Sequence, residues 1–402
     1  MTIPQLPQSP ARTPWSQHTL LYALFFLMGA ELFLISPLLA TIAADFRVPD
    51  GEAAWTVSGY VLGYALSSPV LAALTDRRRR RTVILAGAAL FAVGDVACAS
   101  APSAPLLALA HALSGVGGGL AAPAVWAYLG ETASADQRGR AIAMGAASYA
   151  AGQILGVPLG TFLSAHLGWR VAFLAISAGV IMVAALIALR LKEPDPADRR
   201  RLRPREAIRH SLGLWTRRPF TTVLTATALS QAARIGTYSY IGVLFADRFG
   251  FTLTELGTLG AIVGVGSLSG SLAIGPVIDV WHRRGRSIPF LLGACAFLLA
   301  IAIGIALTTS SLAVAIPVLF LWCAAGGACF STTQAFLSLR FSDARAAAVS
   351  WNNAAMNGGV ALGTAALGTA AVGSATFDMI AIALALAAAI AAAMAGQRRR
   401  VP

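Results

Sequence analysis

The sequence predicts an all-α membrane protein with twelve transmembrane helices arranged in two six-helix halves. Hydrophobic residues make up 57% of the 402 residues and charged residues only 12%, whereas soluble domains carry about 25% charged residues. Apolar stretches of roughly 20 residues, the length that crosses a bilayer, recur along the whole chain, and one long polar segment divides them six and six. These observations exclude a soluble globular domain.

Twelve apolar stretches define the predicted spans, with ends placed to within about three residues. They cover residues 20–44, 53–74, 82–101, 104–129, 141–165, 170–191, 219–246, 254–278, 288–308, 312–336, 345–370 and 374–396. The first stretch is too long for the apolar region of a signal peptide, about 7–15 residues, so we expect it to persist as span 1. The predicted units are an N-terminal bundle (1–191), a cytoplasmic linker (192–218) and a C-terminal bundle (219–402).

The net charge of +13 would suggest nucleic-acid binding in a soluble protein, but its distribution favours another explanation. Most of the 30 lysines and arginines lie in alternate loops, including the arginine run 77–81 and the polar segment 190–218. The positive-inside rule then predicts an inner-membrane protein with both termini in the cytoplasm. The lipid bilayer is the expected partner, and no nucleic acid is expected.

No sequence motif supports a bound cofactor or an enzymatic reaction. The four cysteines all lie within apolar stretches and form no C-x-x-C pair, so they predict neither a disulfide framework nor a metal site. The segment GVGSLSG resembles a phosphate loop only superficially, because it lies within span 8 and follows no strand. We therefore expect neither an enzyme nor a resident cofactor.

The two halves match at a constant offset of 203 residues. The matching positions are Asp76 with Asp279, Gly156 with Gly359, Gly160 with Gly363 and Phe46 with Phe249. Halves with an even number of spans and both ends on one side are parallel repeats about an axis along the membrane normal.

Three segments carry a family resemblance. WTVSGYVLGYALSSPVLAALTDRRRRR (55–81), LSGVGGGLAAPAVWAYLGE (113–131) and GQILGVPLGTFLSAHLGWRVAF (152–173) resemble signatures of the major facilitator superfamily. The third is similar to the twelve-span drug:proton antiporters and to the sugar-efflux and chloramphenicol-resistance branch. The resemblance implies the major facilitator fold, a monomer, and a substrate site between two halves that rock.

The chain departs from the family pattern at several positions. Ala72 and Arg79 replace the two glycines of the loop signature, and His111 stands where the family carries an arginine in span 4. The resemblance still implies a gating role for the loop residues that fit the pattern. These are Asp76, Arg77, Arg80 and Asp279. For the arginines, a role only as cytoplasmic anchors under the positive-inside rule is the favoured alternative.

Glu31 is the strongest candidate for proton coupling, because it lies in the middle of span 1. Twelve residues of helix place it roughly 18 Å into the span, and ionisable groups at that depth mostly face a cavity. His111, which can titrate near neutral pH, and Asp95 in span 3 are further candidates. The alternative for each is a structural polar residue with a satisfied hydrogen bond.

Arg234 in span 7 is the repeat-mate of Glu31. The resemblance places spans 1, 4, 7 and 10 around the central cavity, so we expect the two opposite charges to face each other there. The pair could cancel two desolvation costs, or it could bind substrate and proton in competition.

Polar and aromatic residues within the spans are candidates for substrate contact, since ligand pockets are mostly apolar with a few placed polar groups. With Glu31 and Arg234, they are Gln153, Gln231, Tyr238, Trp322, Gln334, Trp351, Asn353 and Asn357.

Gly152, Gly156 and Gly160 repeat every four residues in span 5, with Pro158 among them. Small residues at this spacing let helices approach closely. In the resembling family this helix packs against the other half and helps to hold the conformational state, which predicts a gating role. Ordinary packing within one half explains the glycines equally well.

The favoured function is export of a small organic molecule, such as a drug, antibiotic or sugar-like compound, in exchange for protons. The alternative is a facilitator or importer of sugars or metabolites without obligatory proton coupling. The sequence does not fix the direction of flux, and it shows none of the motifs expected of an enzyme or a nucleotide-driven pump.

Overall fold

The computed structural model describes residues 15–75, 78–133, 138–193, 209, 212–341 and 345–396. Within these ranges the chain forms helices and short connections, arranged as twelve successive spans. The predicted Asp76 and Arg77 lie outside the described residues.

Spans 1–6 form the N-terminal half. Their bounds are Trp15–Phe46 (span 1), Trp55–Thr75 (span 2), Arg80–Ser100 (span 3), Ala104–Thr132 (span 4), Arg138–Ala151 continued by Val157–Leu167 (span 5) and Trp169–Arg190 (span 6). A π-helical turn, Gly152–Gly156, joins the two parts of span 5. A short helix, Asp50–Ala53, precedes span 2.

Spans 7–12 form the C-terminal half. Span 7 consists of Arg218–Gln231, a π-helical turn Ala232–Gly236 and, after a turn, Ile241–Phe249. The others are Leu253–Arg283 (span 8), Ile288–Thr308 (span 9), Leu312–Arg340 (span 10), Arg345–Leu367 (span 11) and Ala375–Gly396 (span 12). A 3₁₀ turn, Gly213–Thr216, comes just before span 7.

Eight of these helices are long and apolar enough by themselves to cross a membrane. The outward surfaces of the spans carry large aliphatic side chains such as Leu66, Leu189 and Leu272, which are 69–80% exposed. A bilayer covers such side chains at little free-energy cost, because lipid tails are as apolar as leucine.

The two halves are built on the same plan. Span 1 ends at Phe46 and span 7 at Phe249, so their far-side ends repeat at the offset of 203 found in the sequence. Each helix ends at a residue in the left-handed conformation: Arg47 (φ 56°) after span 1 and Gly250 (φ 70°) after span 7. The offset therefore preserves the backbone geometry of the helix ends.

Both ends of the described chain lie on one side of the bundle, because the number of spans is even. We call this the termini side, marked by Trp15 and Gly396, and the opposite side the far side, marked by Phe46 and Trp55. The packing of the two halves against each other is described relative to these two sides.

Spans 1 and 7 meet on the far side of their midpoints. The Ser36 hydroxyl donates to the Tyr238 carbonyl at 2.5 Å, and the rings of Phe33 and Tyr238 have centroids 5.9 Å apart. Gly242 lies so close to the backbone of Ser36 that a Cβ there would be 2.5 Å from its carbonyl oxygen.

Spans 2 and 11 form a second far-side contact. The Ser58 hydroxyl donates to the Ala361 carbonyl at 3.5 Å. Gly51 sits directly against Gly368 at the end of span 11, where a Cβ on Gly51 would be 2.5 Å from the Gly368 carbonyl oxygen. These contacts, together with those of spans 1 and 7, hold the two halves together on the far side.

On the termini side, the N-terminal half has its own polar network. The Arg80 guanidinium contacts the Glu131 carboxylate at 2.9 Å, which joins span 3 to span 4. The backbone N–H groups of Arg80 and Arg81 donate to Glu193 at 2.6 and 3.0 Å, which joins span 3 to the residues after span 6. This network lies within one half.

Candidate functional site

Glu31 lies at the midpoint of span 1 and is completely buried. Nε2 of His111, on span 4, is 3.2 Å from Glu31 Oε1, and His111 is only 1% exposed. A protonated imidazole beside a carboxylate offsets much of the cost of burying either charge.

Asp95, on span 3, completes the cluster and is also completely buried. Its carboxyl is close enough to that of Glu31 for the two groups to interact electrostatically, and two buried carboxyls are favourable side by side only when one of them holds a proton. The Ser114 hydroxyl donates to Asp95 Oδ1 at 2.8 Å. The cluster of Glu31, Asp95 and His111, here called the acid–imidazole cluster, can therefore hold a variable number of protons.

The position of the His111 ring is fixed from several sides. Nδ1 lies 2.8 Å from the carbonyl oxygen of Thr56 and can donate to it, which leaves Nε2 for Glu31. The ring packs on Tyr60 of span 2, with centroids 4.9 Å apart, and edge-on against Phe173 of span 6, at 5.8 Å. Spans 1, 2, 3, 4 and 6 thus all contribute to the surroundings of the cluster.

Arg234 is the buried cation of the other half, and it is 7% exposed. It lies in the π-helical turn of span 7, a distortion found mostly at functional sites. Nη2 donates to the Ser267 hydroxyl of span 8, and Nη1 reaches the side-chain oxygen of Gln231 at 3.5 Å. Nε has no hydrogen-bond partner among the described residues.

The predicted Glu31–Arg234 pair does not form. Among the described residues, Glu31 pairs with His111, and Arg234 donates hydrogen bonds to neutral groups of its own half. Glu31 also does not face an open chamber, because it is enclosed in the N-terminal half. Each charged group binds partners within its own half. The repeat offset relates equivalent positions of the two halves and therefore does not predict such local contacts.

A cleft lies within the C-terminal half, on the termini side of Arg234. Its polar wall consists of Thr227, Ser230, Gln231, Thr333 and Asn352. Leu292, Phe330 and Met356 supply apolar surface, and Gly326 and Cys329 complete the lining. Of the predicted substrate residues, Gln231 lines this cleft.

The remaining predicted substrate residues are dispersed. Tyr238 and Trp322 are buried, and their Oη and Nε1 atoms have no partner among the described residues. Gln153 is buried in the π-helical turn of span 5, and Gln334 is half-buried. Whether any of them binds substrate stays a prediction.

Trp351 and the two asparagines also stand apart from the cleft lining. Asn357 donates to the Asn353 carbonyl of its own helix at 2.9 Å. Trp351 packs edge-on against Trp215 with centroids 5.1 Å apart, at the termini-side end of span 11. The 3₁₀ turn before span 7 thus supplies an aromatic partner for Trp351, and whether Trp351, Asn353 or Asn357 contacts substrate stays a prediction.

The span 5 glycines contact their own half. A Cβ on Gly156 would be 2.4 Å from the Ala30 side chain, and one on Gly152 would overlap the Phe26 carbonyl, both on span 1. Gly160 faces Leu34 in the same way. Packing against span 1 of the same half therefore accounts for these glycines, and a gating role for them and for Pro158 stays a prediction.

Span 5 does touch the other half, through a different face. Val157 packs against Gly260 of span 8, Ile154 against Gly264, and Pro158 and Thr161 against Gly257. Span 8 thus supplies the small residues at this contact. The sequence analysis missed them, although the spacing of Gly257, Gly260 and Gly264 was visible.

The other predicted gating residues differ in their surroundings. Arg80 belongs to the termini-side network with Glu131 and Glu193. Asp279, at the end of span 8, is exposed and makes no hydrogen bond or ion pair with another described residue. A gating role for either stays a prediction.

Sequence reasoning also missed several partners at the two sites. Ser114, Thr56 and Ser267 bind the predicted ionisable groups directly, and Asn352 lines the cleft. A signal was present only for Asn352, as a polar residue in a span next to the predicted Asn353.

Two six-span halves with buried charges at their midpoints define a polytopic membrane transporter. The model of the Major Facilitator Superfamily matches residues 21–364, and the chain belongs to that superfamily. The prediction of its fold is confirmed.

Similar proteins include several transporters of Bacillus subtilis. The chain is 29% identical over 253 residues to the uncharacterized MFS-type transporter YceJ, covering 63% of this chain and 64% of YceJ. It is 28% identical over 340 residues to YbcL, covering 84% of each. The multidrug resistance protein B homolog of Mycobacterium tuberculosis is 29% identical over 160 residues, which is 39% of this chain and 30% of that protein.

Solved structures share the fold. The D-xylose-proton symporter has a TM-score of 0.73 at 17% identity, covering 94% of this chain and 96% of the symporter. A bacterial homolog of the human lysosomal transporter Spinster has a TM-score of 0.72 at 17% identity, covering 95% of each chain.

Proposed function

We propose that the protein exports a small organic molecule of the drug, antibiotic or sugar-like class, by alternating access in exchange for protons. The observation that carries the proposal is the acid–imidazole cluster at the middle of the N-terminal half. Three titratable side chains that touch each other in the interior of a membrane protein are costly to maintain, and such groups commonly form proton relays.

The geometry of the cluster supports proton exchange. With one proton shared between Glu31 and Asp95, the remaining negative charge lies 3.2 Å from the His111 imidazole, which can accept a further proton. Each proton gained or lost changes the charge at mid-span by one unit. Moving one charge through a membrane potential of 100 mV supplies about 2.3 kcal/mol.

Span 1 offers a route from the cluster to the other half. Phe33 is two residues beyond Glu31 and packs on Tyr238, which is one helical turn beyond Arg234. A change in protonation that shifts span 1 therefore acts on span 7 through the Phe33–Tyr238 and Ser36–Tyr238 contacts. We propose that these contacts couple proton exchange at the cluster to the alternating access of the two halves.

The distribution of positive charge between the loops supports one orientation of the protein in the membrane. We assign the termini side to the cytoplasm of a bacterial inner membrane, because the loops on that side carry most of the lysines and arginines. The far-side contacts then close the path to the outside. Support for export comes from the similarity to the multidrug resistance protein B homolog.

Proteoliposomes with a pH-sensitive dye in the lumen test the proposal. A panel of antibiotics, sugars and aromatic acids is applied, and substrate-induced proton movement is recorded. We expect Glu31→Gln to abolish this proton movement, because the amide cannot exchange protons, while counterflow of the same substrate persists. Glu52→Gln serves as the control, since Glu52 is exposed in the far-side loop.

Two outcomes count against the proposal. Proton movement at the wild-type rate in Glu31→Gln removes the cluster from the mechanism. Equal counterflow with and without a pH gradient in the wild type, with no proton movement, identifies a facilitator instead.

A further inference from the structure

We infer that the cleft of the C-terminal half, together with Arg234, binds the carboxylate of an apolar organic acid, which makes such acids the substrate class. This inference rests on the proposed transport function and specifies its substrate. Two features carry it: a buried guanidinium that has no acidic partner in the part of the chain that the structure describes, and a cleft beside it with a polar wall and an apolar wall.

No acidic side chain among the described residues pairs with Arg234. Its hydrogen bonds among the described residues go to Gln231 and Ser267, both neutral. None of the ion pairs between described residues includes it. An unpaired cation inside a membrane protein is costly, and an anionic ligand that reaches the guanidinium offsets that cost.

The guanidinium borders the cleft at two points. Gly326 is part of the cleft lining, and a Cβ at that position would overlap Cδ and Nε of Arg234. Gln231 is also part of the lining, and it accepts from Nη1 at a long 3.5 Å. The unpartnered Nε and the weakly held Nη1 are thus the donors nearest to a ligand.

The rest of the cleft suits an acid with an apolar body. The hydroxyls of Thr227, Ser230 and Thr333 and the amide of Asn352 can donate to carboxylate oxygens. The Asn352 Oδ1 atom is buried and has no partner among the described residues. Leu292, Phe330 and Met356 offer surface to a hydrocarbon or aromatic group.

Glycine at position 326 keeps the site open. Any side chain there would push against the Arg234 guanidinium. The absence of a side chain both brings span 10 close to Arg234 and leaves the cleft in contact with its charge.

Binding to the purified protein tests the inference independently of transport. Benzoate, its neutral isostere benzamide and chloride are compared at equal ionic strength, with thermal unfolding and intrinsic tryptophan fluorescence as readouts. We expect saturable binding of benzoate in the wild type and in Glu31→Gln, and a response to benzamide or chloride at least about tenfold weaker, since charge-assisted hydrogen bonds are the strong ones.

The variants separate a binding role from a structural one. Arg234→Gln should weaken benzoate binding by about tenfold or more, and Arg234→Lys should retain part of it. Thr333→Val should weaken binding by about three- to tenfold. Thr332→Val is the matched control: Thr332 is buried in the same helix, bonds the Ala328 carbonyl of its own helix and is not part of the cleft lining.

The inference is overturned if benzoate fails to bind the folded wild type, if chloride or benzamide competes equally, or if both Arg234→Gln and Thr333→Val bind benzoate like the wild type. If Arg234→Gln does not fold, the comparison of benzoate binding by Thr333→Val and by Thr332→Val tests the inference instead. Binding without proton-coupled transport would contradict the proposed function alone, whereas proton-coupled transport only of uncharged compounds would contradict this inference alone.

Discussion

Glu31 and Arg234 occupy equivalent positions in spans 1 and 7, 203 residues apart, and each is bound within its own half. The repeat has therefore kept the depth of a buried charge while inverting its sign. The N-terminal half holds groups that can gain and lose protons, and the C-terminal half holds a permanent cation. In the function proposed above, the N-terminal half exchanges protons and the C-terminal half binds an anion.

The same inversion occurs at the far-side ends of these helices. Asp45 of span 1 accepts from Arg170 of span 6 at 2.5 Å. Its equivalent in span 7 is Arg248, which donates to the Leu307 carbonyl at 2.7 Å. Each residue fastens the end of its helix to a neighbour within its own half.

Replacing Arg47 by glycine should stabilise the protein. Arg47 is an exposed residue with φ 56°, a conformation that strains a side chain, and glycine occupies the equivalent position 250. We expect a gain of about 0.5 kcal/mol, the relief of left-handed strain less the extra chain entropy of glycine. Thermal unfolding in detergent measures it. Arg47→Ala retains Cβ and should give no gain, and an equal gain in both variants would contradict the explanation.

Joining spans 2 and 11 on the far side should stop transport reversibly. The Ser58 hydroxyl reaches the Ala361 carbonyl at 3.5 Å, so we expect Ser58→Cys/Ala361→Cys to form a disulfide under oxidation. The bridge holds the far side closed, and turnover should fall to background until a reductant is added. Ser58→Cys alone should remain active under the same oxidation. Undiminished transport by the fully cross-linked protein would show that these spans need not separate.

Acidic conditions should favour the far-side-closed arrangement through Asp50. Burial, followed by the nearby Asp247 of the other half, raises the pKa of the Asp50 carboxyl above its ordinary value. The closed arrangement therefore binds a proton more tightly than one in which Asp50 is hydrated, and lowering the pH through the raised pKa stabilises it.

Accessibility of a cysteine introduced at Ser58 to a thiol reagent reports this equilibrium. The labelling rate, corrected for the fraction of the introduced cysteine that is present as thiolate, should fall as the pH is lowered from 7 towards 4. Asp50→Asn should flatten the profile. An unchanged profile in that variant would mean that another group controls closure.

Breaking the Arg80–Glu131 contact should destabilise the N-terminal half. The two side chains are 10% and 30% exposed and 2.9 Å apart, so removal of the guanidinium leaves a partly buried carboxylate without its cation. We expect Arg80→Ala to cost about 1–3 kcal/mol. Arg79→Ala, at an exposed position, should cost less than about 0.5 kcal/mol. A double-mutant cycle with Glu131→Gln measures the pairwise part, and additive losses would show that the contact contributes nothing.

The sequence was sufficient for the twelve spans and for the depth of each buried charge. Hydrophobic length determines both, since a helix must match the bilayer. The offset of 203 also located equivalent helix ends. The partner of each charge could not be inferred in this way, because Glu31 reaches His111 through the rotation of span 1, which sequence length does not determine.

The span 5 glycines illustrate the same limit. A stripe of Gly152, Gly156 and Gly160 predicts a close helix contact, and the structure has one. The stripe does not say which helix is close, since span 1 and span 8 are both adjacent. Packing of the whole bundle assigns the glycines to span 1 and turns Val157 towards span 8.

The asymmetry of span 5 has a mechanical consequence. Backbone lies directly on backbone at Gly152, whereas Val157 rests on the smooth glycine strip at Gly260. In the proposed alternating access, a rigid-body rotation of the two halves would carry spans 5 and 1 together and slide Val157 across a surface with few protruding side chains. Dispersion contacts would be the main interactions that oppose this movement, because no interlocked rows of side chains have to separate. The interface between spans 5 and 8 would therefore allow the rotation at a small free-energy cost.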